Sequence, residues 1–220
     1  MGKVLFVVAG GELKDLKFFQ LKINELKPAE IICADSGAAY LHALGMIPDV
    51  IIGDMDSLSP ELWNHLKKQG SRLIEYPEAK DETDTWLALD YAIRLAPCEI
   101  YVFAACGTRM DHTLANLSLL MRGIESHIPV RLIDENCEIF LVHDQYVLEG
   151  EVGQTVSVFP FSGTATGITL QGFDYPLENG IMEIGKPYGV SNRLMSTRGT
   201  IEVRSGILLV IRYFKAGFFP

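Results

Sequence analysis

The chain has 220 residues, 48% of them hydrophobic and 10% aromatic, which supplies a sizeable core and excludes global disorder. Its 19 Lys and Arg against 28 Asp and Glu leave a formal charge of −9, a balance that argues against a general nucleic-acid binder, whose affinity rests on basic surface. No apolar run approaches the roughly 18–20 residues of a membrane span, so no membrane association is expected. The opening stretch is too short and glycine-terminated for a signal peptide, and Phe6 stands where a myristoylation signal needs Ser or Thr. Cys33, Cys98, Cys106 and Cys137 form no CxxC or CxxH pair. Neither a disulfide framework nor a structural zinc site is expected, and a reduced, cytoplasmic protein is.

In chain order, Val4–Val8, Glu30–Ala34, Val50–Ile52, Ile100–Ala104 and Val130–Ile133 read as buried strands. Between them, Lys14–Leu26, Ala38–Leu44, Pro60–Gln69, Asp84–Leu95 and Thr113–Gly123 carry apolar residues at helical spacing. Ser59 reads as the cap of the third helix with Pro60 in its first turn, and Asp81 as a cap for the fourth. Strand–helix alternation predicts a mostly parallel sheet with flanking helices. The pattern then changes. Glu138–Val142, Tyr146–Leu148, Thr155–Phe159, Gly167–Leu170, Thr200–Val203 and Ile207–Tyr213 are short, β-rich and separated by glycines, which predicts a C-terminal all-β sandwich. Thr200–Val203 and Ile207–Tyr213, around Ser205-Gly206, read as a closing hairpin. The expected architecture is an α/β domain over 1–138 followed by a β-sandwich domain over 139–220.

The polar residues of the first half gather where strands should end. Val50–Ile52 runs into Gly53-Asp54-Met55-Asp56-Ser57. Residues two apart in an extended segment point the same way, so Asp54 and Asp56 can converge on a hard cation such as Mg²⁺. The same pair also reads as a solvated turn. Lys80-Asp81-Glu82-Thr83-Asp84 adds a positive charge and a third carboxylate, Asp84. Gly107-Thr108-Arg109-Met110-Asp111-His112-Thr113, with Asn116 beyond, pairs a glycine turn and helix N-terminus with an arginine, all suited to phosphate. Ala34-Asp35-Ser36-Gly37-Ala38 is another acid-then-glycine turn. There is no GxxxxGK[ST], and Gly10-Gly11 lacks the third glycine of a dinucleotide fingerprint. Four such groups at successive strand ends imply metal-assisted transfer from a phosphate-rich donor.

Taken in order, Ala34-Asp35-Ser36-Gly37-Ala38, Pro48-Asp49, Gly53-Asp54-Met55-Asp56-Ser57, Lys80-Asp81-Glu82-Thr83-Asp84, Arg109-Met110-Asp111-His112 and Ser191-Asn192 resemble the thiamine pyrophosphokinase family over roughly residues 5 to 211. The resemblance implies an ATP-binding α/β domain, a thiamine-binding β-sandwich and a homodimer with active sites at the subunit interface. It implies Asp54, Asp56 and Asp84 as Mg²⁺ ligands and Asp81 or Asp84 as acceptor of the hydroxyl proton. Asp35, Lys80, Asp81, Arg109, Asp111 and Asn116 would hold ATP or shape its pocket, and Ser191 and Asn192 would line the thiamine site. The implied reaction is attack of the thiamine hydroxyl on the β-phosphorus of ATP, with AMP leaving.

Four positions depart from the family pattern. Ser36 replaces the first glycine of Asp-Gly-Gly, Thr108 replaces a glycine before Arg109, and Arg193-Leu194 stands where a small or acidic residue and an aromatic are commoner. The last departure keeps open a pyrophosphokinase for another hydroxymethyl heterocycle, such as a pterin. Asp54-Met55-Asp56 also fits an aspartyl-phosphate phosphatase, and a nucleotide- or vitamin-sensing module is the non-enzymatic reading. ATP-dependent release of AMP separates the three.

Overall fold

Apolar runs form the centre of the first unit in the computed structural model, which describes residues 2–54 and 56–216. The chain divides into two compact units, Met1–Glu135 and Asn136–Pro220. The first contains strands β1 (Val4–Val8), β2 (Glu30–Ala34), β3 (Val50–Gly53), β4 (Arg72–Glu75), β5 (Glu99–Phe103) and β6 (Val130–Ile133). They lie side by side, all parallel, in the order β6-β5-β1-β2-β3-β4. Leu5, Phe6, Val7 and Val8 are all fully buried, as a strand covered on both faces requires. Phe103 packs against Phe6 and Phe19 at ring-centroid distances of 4.8 and 4.9 Å. β4 was not legible from apolar runs: it is a four-residue edge strand with Arg72 and Glu75 exposed.

Helices α1 (Leu16–Leu26), α2 (Ala38–Ala43), α3 (Pro60–Lys68), α4 (Asp84–Arg94) and α5 (Met110–Ser126) connect the strands. Asp15 Oδ1 accepts from the N–H groups of Lys17 and Phe18, both at 3.0 Å, and so starts α1 two residues later than the expected Lys14. Ser59 caps α3 with Pro60 in its first turn, as the sequence indicates. The expected cap of α4 is corrected: Thr83 accepts from the Trp86 N–H at 3.2 Å, because it directly precedes the first helical residue and Asp81 does not. α5 begins at Met110, three residues before the expected Thr113, and Arg109 gives it no side-chain cap.

The second unit is all β. Strands β7 (Cys137–Val142), β8 (Gln145–Glu149), β9 (Gln154–Pro160), β10 (Ala165–Gln171), β11 (Leu177–Met182), β12 (Asn192–Arg193), β13 (Arg198–Glu202) and β14 (Leu208–Ala216) make two antiparallel sets, β12-β9-β14-β7 and β11-β10-β13-β8. Val156, Val158, Ile168, Leu170, Ile201 and Val210 belong to one buried cluster with Phe140 and Phe173. The expected closing hairpin does not form. β13 pairs with β8 and β10, whereas β14 pairs with β7 and β9. Ser205 bridges to Thr166 and Ile207 O accepts from the Phe161 N–H at 2.8 Å, so the chain crosses from one sheet to the other at Gly206, where φ is +95°. Val203 and Leu208 can then both face the core from opposite sheets. Among the described residues no helix is long and apolar enough to cross a membrane.

Candidate active site

The sheet order reverses at β1. The chain steps outward from β1 to β4, then returns to place β5 on the other side of β1. Loops leaving strands on either side of such a point diverge and leave a crevice at the carboxyl ends. Here the crevice is a cavity of about 430 Å³, walled by Gly10, Gly11 and Glu12 after β1, Asp35 and Ser36 after β2, and Ala105 to Arg109 after β5. The Gly11 N–H donates to Ala104 O at 2.8 Å, and a Cβ on Gly11 would lie 2.3 Å from that oxygen. Only glycine lets these two loops approach so closely.

Asp35, Asp54 and Asp84 meet beside this crevice. Each offers a carboxylate oxygen, and the three oxygens lie within 4.8 Å of one another. β2 delivers Asp35, which takes φ +42° and is only 6% exposed. Ser36, the departure in that motif, keeps negative φ because Asp35 takes the left-handed turn instead. β3 delivers Asp54 and the first turn of α4 delivers Asp84. Asp35 Oδ1 is solvent-excluded and accepts no hydrogen bond, and Asp84 Oδ1 is solvent-excluded with the Lys80 ammonium 3.0 Å away. Burial pushes the Asp35 carboxyl above the usual carboxylate range; Ser57 opposes this, and Asp84, Asp54 and Asp56 add to it. An oxygen-only set of this kind, with the buried Asp35 Oδ1 lacking a donor, suits a hard divalent cation.

Lys80 Nζ stands 3.3 Å from Asp54 Oδ2 and 3.0 Å from Asp84 Oδ1. Burial alone would lower its pKa, but the two carboxylates more than offset this and raise it. The Asp54 carboxyl is lowered, first by the Asp56 backbone N–H that donates to its Oδ1 at 3.2 Å, and also by Lys80. Asp56 itself is exposed and accepts from the Ser57 hydroxyl at 2.9 Å; its carboxylate is not one of the three that converge. Met55 lies outside the described residues. Asp81 is exposed and does not line the crevice.

On the opposite wall, Arg109 Nε and Nη2 donate to Asp111 Oδ1 and Oδ2 at 3.0 and 2.6 Å. This fork holds the Asp111 carboxyl well below the usual range. Asn116 is buried and its Nδ2 donates to Ala105 O at 2.7 Å, so it braces the loop after β5. The start of α5 brings Arg109, His112 and Thr113 to the crevice. Glu12, Ser57, Thr83 and Thr85 also line it and were not singled out in sequence; the Gly10-Gly11 pair ahead of Glu12 was the available signal.

In the second unit Ser191 is exposed at φ +57°, with its N–H donating to Ser157 Oγ at 3.0 Å. Asn192 is buried. Its Oδ1 accepts from the N–H groups of Tyr175 and Arg193 at 3.0 and 2.8 Å, and its Nδ2 donates to Tyr175 O at 2.8 Å. The amide is committed to the turn that carries Tyr175. Arg193 points into the open, while Leu194 is fully buried in the core beside Phe173.

Converging carboxylates next to a crevice with a helix start and an arginine in its wall suit one class of chemistry, the metal-assisted transfer of a phosphoryl-type group. Comparison with known proteins narrows the class. Residues 25–132 match the model of "Thiamin pyrophosphokinase, catalytic domain", and residues 144–208 that of "Thiamin pyrophosphokinase, vitamin B1 binding domain". Thiamine pyrophosphokinase of Bacillus subtilis (strain 168) is 36% identical over 183 residues, 82% of this chain and 86% of the relative. A crystal structure of thiamine pyrophosphokinase from Bacillus subtilis superposes with a TM-score of 0.86 at 33% identity, covering 97% of this chain and 100% of that one. The thiamin pyrophosphokinase of Geobacillus thermodenitrificans gives a TM-score of 0.83 at 28% identity, over 98% of this chain and 100% of that one. The chain belongs to the thiamine pyrophosphokinase family.

Proposed function

We propose that this chain transfers the diphosphoryl group of ATP to the hydroxyl of thiamine, yielding thiamine diphosphate and AMP. The observation that carries the reading is the convergence of Asp35, Asp54 and Asp84 beside the switch-point crevice, in a chain of this family. In the reaction a bond forms between the thiamine oxygen and the β-phosphorus, the bond from that phosphorus to the α-phosphate oxygen breaks, and the hydroxyl proton is lost. The first unit supplies the nucleotide crevice. Arg109 and the uncapped start of α5 face the phosphates, and Asn116 and Gly11 keep the walls in place. Asp35, Asp54 and Asp84 would hold Mg²⁺, which when bound offsets charge on the phosphoryl oxygens.

The second unit takes thiamine. Ser191 offers an exposed hydroxyl there, and Asn192 serves by fixing the Tyr175 turn. The chain works as a homodimer, and a cysteine pattern with no CxxC or CxxH pair agrees with a reducing, cytoplasmic setting. Incubation with Mg²⁺, ATP and thiamine, with products identified by mass, tests the reading. Equal amounts of AMP and thiamine diphosphate are expected. AMP formed only with another hydroxymethyl heterocycle would overturn the acceptor, and no AMP with any acceptor would overturn the reaction.

A further inference from the structure

The three carboxylates of the site differ in one respect: two of them already have a cation. Lys80 Nζ is within ion-pair distance of Asp54 and Asp84, whereas Asp35 Oδ1 has no hydrogen-bond partner. An ammonium at 3.0–3.3 Å from oxygens of two of the three carboxylates occupies ligands that a cation held by all three would need. Two cations on the same carboxylates repel one another across a few ångströms, so the arrival of one weakens the hold on the other. We propose that Lys80 is a built-in counter-ion of the metal site, neutralising Asp54 and Asp84 until the metal binds and withdrawing from them as it does. The inference rests on the metal reading of this site given above.

The local structure says which partner moves. Asp35 follows β2, Asp54 follows β3, and Asp84 opens α4, whose Leu87, Ala88 and Leu89 are buried. Lys80 instead belongs to the stretch between β4 and α4, which is neither strand nor helix, and its neighbours 77–79 and 81–83 are exposed. Its side chain alone turns inward, to 11% exposure. Withdrawal of Lys80 therefore disturbs no core packing. A lysine also suits the task by charge. It balances two carboxylates only in part, so a divalent ion that gains Asp35 as a third ligand can displace it. The released ammonium stays one side-chain length from the crevice that Asp84 lines, where the phosphates of a nucleotide are the next concentration of negative charge. Metal binding and phosphate binding then favour each other through Lys80.

The test is titration of the full-length, nucleotide-free protein with Mn²⁺, followed by electron paramagnetic resonance of the free ion. Lys80→Met and Lys80→Gln are expected to bind Mn²⁺ about tenfold more tightly than the unaltered chain, the size expected for removing one competing charge. Lys80→Arg keeps the charge and should restore the weaker affinity. Asp84→Asn in either background should abolish the binding, which locates it. Equal or weaker affinity in both neutral variants, with Mn²⁺ still bound by the unaltered chain, would overturn the counter-ion role while leaving the metal site standing. If neither the unaltered chain nor the neutral variants bound Mn²⁺, the metal reading would fall and the counter-ion role with it.

Discussion

A methyl group placed on Gly53 would lie 3.0 Å from Asp35 Cβ and 3.3 Å from both Asp84 Cγ and Oδ1. Those neighbours are two of the three converging carboxylates, held at the ends of regular elements, so they cannot yield without opening the site. Gly53→Ala is expected to cost about 1–3 kcal/mol of stability through overpacking, and to weaken Mn²⁺ binding, by calorimetry, beyond what that loss explains. Charge removal separates the acids in the same way. Asp35→Asn should lower turnover by about a hundredfold or more, as expected for losing a group that organises transition-state charge. Asp56→Asn should cost about tenfold at most, because the backbone N–H through which Asp56 holds Asp54 survives the substitution. Similar losses in both would return Asp56 to the ligand set. Cys106 lines the same crevice, and burial pushes its thiol up to about 11. The thiolate is the reactive form, so Cys106 should resist alkylation at pH 7–8, label faster as pH rises toward 11, and be shielded by ATP, all measurable by mass spectrometry.

Thr83 shows how an element's start can position chemistry. It caps α4 and stands next to Asp84, so Thr83→Ala should lose about 1 kcal/mol in denaturant melts. The same loosening of the first turn should weaken Mn²⁺ binding. This cap was misplaced at Asp81 in the sequence, since both residues are good caps and only the helix start decides between them. The strands β1, β2 and β6 were legible to the residue, because burial on both faces selects runs dominated by Val, Ile, Leu and Phe, with a charge only at the start of β2 and at Arg131 in β6. β4 and β12 were not, being short edge strands with little buried surface. β13 and β14 were visible as strands, but sheet membership depends on pairing between residues far apart in sequence, and a Ser-Gly turn looks the same in a hairpin and in a crossing between sheets. In the site, strand ends drew attention to loops that line the crevice after β2 and β5. The third member of the acid cluster, Asp35 rather than Asp56, depended on the left-handed turn after β2 and on Asp56 turning outward.

At the scale of the whole molecule, the second unit leaves large apolar side chains in the open. Tyr175 is 70% exposed, and Ile181, Ile184, Tyr188 and Met195 are each more than half exposed. Single exposed apolar residues are ordinary, but five of this size stand out on an 85-residue unit whose core is already filled. The homodimer proposed above would cover them. Light scattering should give twice the mass of one chain. The double substitution Ile181→Asp with Tyr188→Asp should shift it to one, since burying two carboxylates at an interface is costly without partners. Both side chains are mostly solvent-exposed in the single chain, so circular dichroism and Mn²⁺ binding, which read the fold and the first unit, should not change. If the acceptor site is completed across the subunit boundary, AMP release with thiamine should fall with the loss of the dimer. A monomeric variant with full activity would confine the acceptor site to one chain, and an unaltered chain that scatters as a monomer would remove the dimer from the account.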